Sequence, residues 1–400
     1  MQYIALLLSL LWLQGHDQAG FPNADLAVRS GKAVPASRGN GSAASPVLLG
    51  DAPEFVRHLY RVPSDRGGKT IAIVVAFHYR DGDAGADLDT FSQEFGLPAC
   101  NEGNGCLHVL SATHTIDCDW AVEAALNLQW THAMAPKAHL LLVEAASASP
   151  DDLFPAVKRA ARAVIRAGGG EVVLPWIYCS DDDVCERADD KKKYDRFFIK
   201  GVVYFAASGD ADSAGTAAYP STSPRVVSVG GTLPNDDGTV EKGWLHSRGG
   251  GSKYEPKPSF QEDIENMPDH VRYTPDIAVS ARSVAVYFTS PGSATCPKSS
   301  TGWQAYKGAT SSSTPIAAGM ANAAGHFNRS SKKELRNIYA NRCDTTRVKD
   351  ITIGSSGANT ASNGYDSLTG VGAPLGTDFD APPSNDQCED QSHHKKKSHP

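Results

Sequence analysis

Five runs of this sequence are apolar almost without a break: TIAIVVAF from Thr70, HLLLVEA over His139–Ala145, EVVLPWIY over Glu171–Tyr178, GVVYFAA over Gly201–Ala207 and RVVSVG over Arg225–Gly230. A strand with one wet face alternates apolar and polar residues, so a strand apolar at nearly every position is covered on both faces. That pattern marks parallel sheet, whose crossover connections lay helices on either side. The segments between the runs agree. Asp87–Phe95 and Asp119–Met134 are patterned as helices, and Ser149–Pro150–Asp151 reads as a helix start ahead of Leu153, Val157, Ala160 and Val164 at helical spacing. The expected fold is α/β, a parallel sheet with helices on both faces in a single domain.

Around that domain the composition changes. Residues 20–68 are rich in Gly, Pro, Ser and Ala with weak periodicity, and regular structure is expected to begin at Thr70. The expected layout is a signal peptide over 1–19, a short pro-segment or arm over 20–68, the domain over 69–378 and a disordered polar tail over 379–400. The apolar run from Tyr3 to Leu13 is too short to cross a bilayer and suits a secretory signal. A secreted monomer, free of the membrane once that segment is removed, is the expected product. Eight cysteines fit an oxidising compartment. Cys100/Cys106 and Cys179/Cys185 are spaced for local disulfides, while the pairing of Cys118, Cys296, Cys343 and Cys388 stays open. Asn40 and Asn328 head glycosylation triplets. A formal net charge of -7 argues against a general nucleic-acid binder, and the terminal HHKKKSH cluster reads as solvated rather than metal-binding.

The stretch KGATSSSTPIAAGMANAAGH, Lys307–His326, carries the strongest chemical signal. A Gly308–Ala309–Thr310 turn delivers Ser311, and Pro315 stands where a helix is expected to begin. The helix is small and apolar all round, which means buried. It would hold Ser311 at its positive end, among backbone N–H groups suited to an oxyanion. A serine nucleophile needs a base, and on the Asp119–Met134 helix Glu123 and Asn127 share a face, with Asp119 one turn earlier. Ser208–Gly209–Asp210 follows a strand directly, at the edge where open α/β sheets gather functional groups.

With YPSTSPRVVSVGGT (Tyr219–Thr232), WAVEAALNLQWTHAMAPKAHLLLVEA (Trp120–Ala145) and KDI…GYDSLTGVGAP, these motifs resemble, in order over roughly residues 70–376, the sedolisin family of serine-carboxyl peptidases. The resemblance implies a subtilisin-like fold and a secreted endopeptidase acting on polypeptides, generally in acid. It makes Ser311 the nucleophile, Glu123 the general base and Asp210 the oxyanion aspartate. It also implies one structural calcium ion held by the Asp350 and Asp366 carboxylates and the Ile351, Ser362 and Gly364 carbonyls, an all-oxygen set suited to a hard cation.

The sequence departs from the family in three places. Asn127 stands where the family has a second acid; it keeps the shape, cannot take up a proton, and removes a like charge, so Glu123 is expected to ionise at lower pH than beside an aspartate. Pro175-Trp176-Ile177 replaces a Ser-Trp-Gly-like run, placing a side chain where an extended substrate would lie. A long pro-domain is not evident before Thr70. The expected function is a serine-type endopeptidase; the alternative is an inactive sedolisin-like pseudopeptidase that binds polypeptides.

Overall fold

The computed structural model describes residues 50–80, 83–179, 185–210, 217–264, 267, 270–292, 296 and 301–383. The expected signal segment, Asn40, Cys388 and the His/Lys cluster lie outside the described residues. The strands are β1 (Thr70–Ala76), β2 (Leu107–Ser111), β3 (His139–Ala145), β4 (Gly170–Leu174), β5 (Val203–Ala207), β6 (Val227–Pro234), β7 (Glu241–Gly243), β8 (Gly250–Pro256), β9 (Val271–Thr274), β10 (Ile277–Ser280), β11 (Val284–Phe288) and β12 (Gly302–Tyr306). Seven of them form a wholly parallel sheet in the order β10-β6-β5-β4-β1-β3-β2, with β7 added antiparallel to β6. In the centre, Ile73 of β1 is level with Leu142 of β3 and Val173 of β4. Every residue of β1, β4 and β5 is buried, as their unbroken apolar character requires.

Helices α1 (Pro53–Tyr60), α2 (Asp83–Glu94), α3 (Cys118–Met134), α4 (Pro150–Arg166), α5 (Asp190–Tyr194), α6 (Thr310–Ala323) and α7 (Ser331–Ala340) complete the domain. Ser149 caps α4 through the Asp151 N–H, with Pro150 in the first turn. Its Leu153, Val157, Ala160 and Val164 are buried along one stripe, which covers β1, β3 and β4. Helices α3 and α6 lie against one another on the sheet and are buried nearly all round. Gly319 allows their approach, since a Cβ there would stand 2.5 Å from Met134 Cβ. The β11–β12 hairpin is fastened to α3 by side chains: Gln129 Nε2 donates to Tyr287 O at 2.6 Å and Trp130 Nε1 to Ala285 O at 3.0 Å.

Four expectations need correction. Among the described residues, regular structure begins at α1, inside the stretch read as an arm, because Val56 and Tyr60 bury there completely. Burial of two such side chains contributes on the order of 2 kcal/mol apiece. The Tyr60 hydroxyl donates to Glu241 Oε1 at 2.6 Å and accepts the Ser280 N–H at 2.6 Å, which ties α1 to the sheet. Pro315 lies inside α6 rather than at its start. Ser312 and Thr314 donate back to the Ala309 and Thr310 carbonyls at 2.6 and 2.7 Å, so hydroxyls supplement the first turn ahead of the missing N–H. Buried Asn328 is no glycan acceptor in this fold: its Nδ2 donates to Glu334 Oε2 at 2.7 Å and to Asp380 O at 2.9 Å. The packed body runs past 378, with Phe379 and Asp380 buried.

Cys100–Cys106 and Cys179–Cys185 are disulfides, and Cys118 pairs with Cys296 across 178 residues. That long link pins the first residue of α3 and, by the loop it closes, is worth about 5 kcal/mol against the unfolded chain. Cys343 is disulfide-bonded too. Among the described residues no helix is long and apolar enough to cross a membrane.

Candidate active site

Ser311 is the second residue of α6, and it sits beside the segments that leave β4 and β5 at their carboxyl ends. The turn before it is fixed by Asp210. Asp210 Oδ1 accepts the Thr310 N–H at 2.9 Å and the Thr310 hydroxyl at 2.6 Å, and the Gly209 N–H donates to Thr310 Oγ1 at 3.1 Å. Asp210 therefore caps the positive end of α6 while standing next to Ser311.

Glu123, on α3, is wholly buried. Its two oxygens face different partners. Oε1 accepts Asn127 Nδ2 at 2.8 Å, and the same amide nitrogen donates to the Glu123 carbonyl at 2.9 Å, so one turn of helix locks the rotamer. Oε2 accepts the Tyr306 hydroxyl at 2.5 Å and the Ser311 hydroxyl at 3.4 Å. Burial pushes the Glu123 carboxyl up to about 7, with the Tyr306, Ser311 and Asn127 bonds opposing the rise and nearby Asp210 adding to it. Without the second acid the carboxyl is still well above an exposed glutamate, because burial is the largest cause of its shift. Asp119 makes no bond to Glu123; its own carboxyl is raised by burial and then by Asp117.

Tyr306 is a site residue that the sequence does not reveal. It ends β12 five positions before Ser311, in GWQAYKGATS, and nothing in its spacing sets it apart from a packing aromatic. Burial and then the Glu123 charge hold its hydroxyl well above the ordinary phenol range.

The cleft over Ser311 is lined by Pro175, Trp176, Ile177, Ala207, Gly209 and Asp210. The cleft is narrow as it stands, with free space of about 10 Å³, room for about one water. Ile177 is one of the side chains that narrow it. It is buried with Cys179, Cys185 and Ala218, and its Cδ1 lies 2.9 Å from where a Cβ on Gly209 would stand. Gly209 has φ +102° and occupies the tight turn between β5 and Asp210, where a side chain would meet both strain and Ile177.

The five residues expected to hold calcium share one loop. Asp350 Oδ2 accepts the Gly364 N–H at 2.8 Å and Asp366 Oδ2 the Ser362 N–H at 3.1 Å, so both carboxylates converge on the 362–364 segment. Partial burial raises the Asp350 carboxyl, opposed only by the Gly364 and Ile351 N–H groups. Burial raises Asp366, which also accepts bonds from the Leu368 and Thr369 N–H groups and the Thr369 hydroxyl. Among the described residues neither acid has a basic partner, and carboxylate and carbonyl oxygens are the donor type of a hard cation.

No family model matches the sequence, and no curated protein does. Solved structures do match in fold. The Pseudomonas sedolisin, a serine-carboxyl proteinase complexed with two molecules of pseudo-iodotyrostatin, superposes with a TM-score of 0.64 at 21% identity, covering 88% of this chain and all of that one. Sphericase gives a TM-score of 0.50 at 16% identity, covering 80% of this chain and 96% of its own. The chain has the sedolisin- and subtilisin-like fold.

Proposed function

We propose that this protein is a secreted serine-type endopeptidase of the serine-carboxyl type. One observation carries the reading: Ser311 Oγ and Glu123 Oε2, 188 residues apart in sequence, are buried together at 3.4 Å. A surface glutamate would not be there, and a core glutamate would not face the first turn of a helix through a serine. Ser311 attacks the peptide carbonyl carbon as its proton passes to Glu123. The oxyanion forms beside the first N–H groups of α6 and accepts a hydrogen bond from the Asp210 carboxyl in its protonated form. Collapse breaks the C–N bond, Glu123 returns the proton to the leaving amine, and water hydrolyses the acyl-enzyme by the same route. Asn127 holds Glu123 in place and takes no proton.

The base works only when ionised, so activity rises with pH through about 7. This shifts the proposal from the acid range implied by family resemblance towards neutral pH. Calcium, bound by Asp350, Asp366, Ile351, Ser362 and Gly364, would neutralise two acids and anchor the loop. Excess chelator should lower the melting temperature by several degrees, and an unchanged curve with no metal by elemental analysis removes the site. Cleavage of a denatured polypeptide, lost in Ser311→Ala, tests the activity itself. The inactive, polypeptide-binding reading is kept because Asn127 replaces the second acid and Ile177 crowds the cleft over Ser311, both of which count against cleavage. Binding of unfolded polypeptide that is equal in the native protein and in Ser311→Ala, without cleavage, would favour it.

A further inference from the structure

Glu123 Oε2 receives two hydroxyls at unequal range. The Tyr306 hydroxyl donates to it at 2.5 Å and the Ser311 hydroxyl at 3.4 Å, near the outer limit of a hydrogen bond. An ionised carboxylate oxygen has room for both, since each offers about two acceptor positions. Asn127 also holds the glutamate, but by Oε1, the oxygen that does not meet Ser311. The tyrosine is itself held in place. Gln129 and Trp130 of α3 clamp its hairpin through β11, whose Val284 is level with Tyr306. Ser283 Oγ donates to the Tyr306 carbonyl at 2.9 Å. The phenol thus meets Glu123 from a strand fastened to the helix that carries Glu123.

We propose that Tyr306 is a positioning residue for the peptidase reaction, whose hydroxyl takes one side of Glu123 Oε2 and turns the other towards Ser311. No proton leaves Tyr306, because burial and the Glu123 charge keep the phenol protonated. The proton that Ser311 loses as Oγ attacks passes to Glu123 Oε2 itself, and from there to the leaving amine. The same contact bears on when Glu123 is ready to act. Burial raises the Glu123 carboxyl; against it stand the donors Tyr306 from β12, Ser311 from α6 and Asn127 from its own helix, in falling order. The charge of Asp210, just past β5, adds to the rise. Losing the Tyr306 hydroxyl therefore leaves Glu123 both less firmly aimed and harder to ionise.

The inference rests on the peptidase reading, and its test separates the two. Diisopropyl fluorophosphate is small, and its rate of attachment to Ser311 reads the nucleophile without a peptide in the cleft. Carbon-13 NMR of protein carrying labelled glutamate follows the ionisation of Glu123 with no activity needed, its signal being the one lost in Glu123→Gln. Tyr306→Phe keeps the ring and removes the hydroxyl. The Glu123 midpoint should rise by about one pH unit, the loss of one hydrogen bond to a charged group. The labelling midpoint should move with it, and the plateau rate above both midpoints should fall by roughly ten-fold, as the base loses its aim. Placing 3-fluorotyrosine at position 306 keeps the shape and makes the phenol a slightly stronger donor. It should hold the plateau within about two-fold of native, with the Glu123 midpoint at or below the native one. A tyrosine that only packs would move neither midpoint, and thermal unfolding of each variant reports whether the fold is kept. An unchanged Glu123 midpoint or plateau rate in Tyr306→Phe overturns the positioning role and leaves the peptidase; so does a midpoint above native in the fluorotyrosine protein. A native Ser311 that is unlabelled at every pH overturns the peptidase reading, whatever the Glu123 titration shows.

Discussion

At its N-terminal end α6 brings Ser311 against Glu123 and Asp210; at its C-terminal end Asn322 donates to Glu171 Oε2 at 2.6 Å, near Glu334 and Asp380. Both ends bury acids, and in both burial is the largest cause of raised carboxyl pKa values: Glu123 to about 7, Glu171 to about 8 and Asp380 to about 7. The company differs. Glu171 has the Asn322 amide, Glu334 the Asn328 amide, and the Asp380 carbonyl takes the Asn328 and Asn337 amides. Those groups, with His326 Nε2 at 2.8 Å from Asp380 Oδ1, are amides, acids and an imidazole, with no serine among the described residues aimed at any of the acids. A shifted acid is therefore a common product of burial, and the function assigned to Glu123 comes from the serine and phenol aimed at it.

The sharpest break of that comparison is to neutralise one acid at each end. Glu123→Gln should cut Ser311 labelling by about a thousand-fold or more, because the base is lost. Glu171→Gln should leave labelling unchanged and raise the melting temperature at pH 8, but not at pH 4, where the native glutamate is already protonated. Equal losses of labelling would make the two ends alike and remove the special role of Glu123.

Next in size is Ile177→Gly. Opening the cleft should raise peptide cleavage by about ten-fold or more while leaving labelling by the small probe within about two-fold, since the chemistry at Ser311 is untouched. Cleavage that stays at zero with labelling intact would hand the cleft to the binding reading.

A smaller effect belongs to both ends together. A carboxyl whose folded pKa is raised binds its proton more tightly in the folded chain, so its contribution favours the fold at low pH and falls away as pH rises. From the shifts of Glu123, Glu171 and Asp380, stability should decline between about pH 4 and pH 8, by on the order of 3 to 5 kcal/mol per fully buried acid at most. Urea midpoints measured across that window should fall steadily. A midpoint that rises with pH would contradict the burial argument at both ends.

Much of this was legible in the sequence, for physical reasons. Unbroken apolar runs announced β1, β3, β4, β5 and β6, Ser149–Pro150 announced α4, and a helix of small residues announced a buried α6. Glu123 and Asn127, four residues apart, had to share a face of α3. What stayed hidden depends on distant partners. Edge strand β2 has largely exposed or half-buried positions, so no apolar run marks it. Helix α1 lies in Gly- and Pro-rich surroundings, and only contacts with Glu241 and Ser280 show why Tyr60 is there. Tyr306 gains its meaning from a hydroxyl 2.5 Å from a glutamate 183 positions away, which no local pattern encodes.

The claim at the centre of this account is that Ser311 is a nucleophile whose base is Glu123. The rate at which diisopropyl fluorophosphate attaches to Ser311 in the native protein, followed from pH 4 to pH 9 with the labelled peptide identified by mass spectrometry, tests it directly. A single rise is expected with a midpoint near 7, set by ionisation of buried Glu123 and absent in Glu123→Gln. No label on Ser311 at any pH, or a rate in Glu123→Gln that follows the native curve, would contradict it.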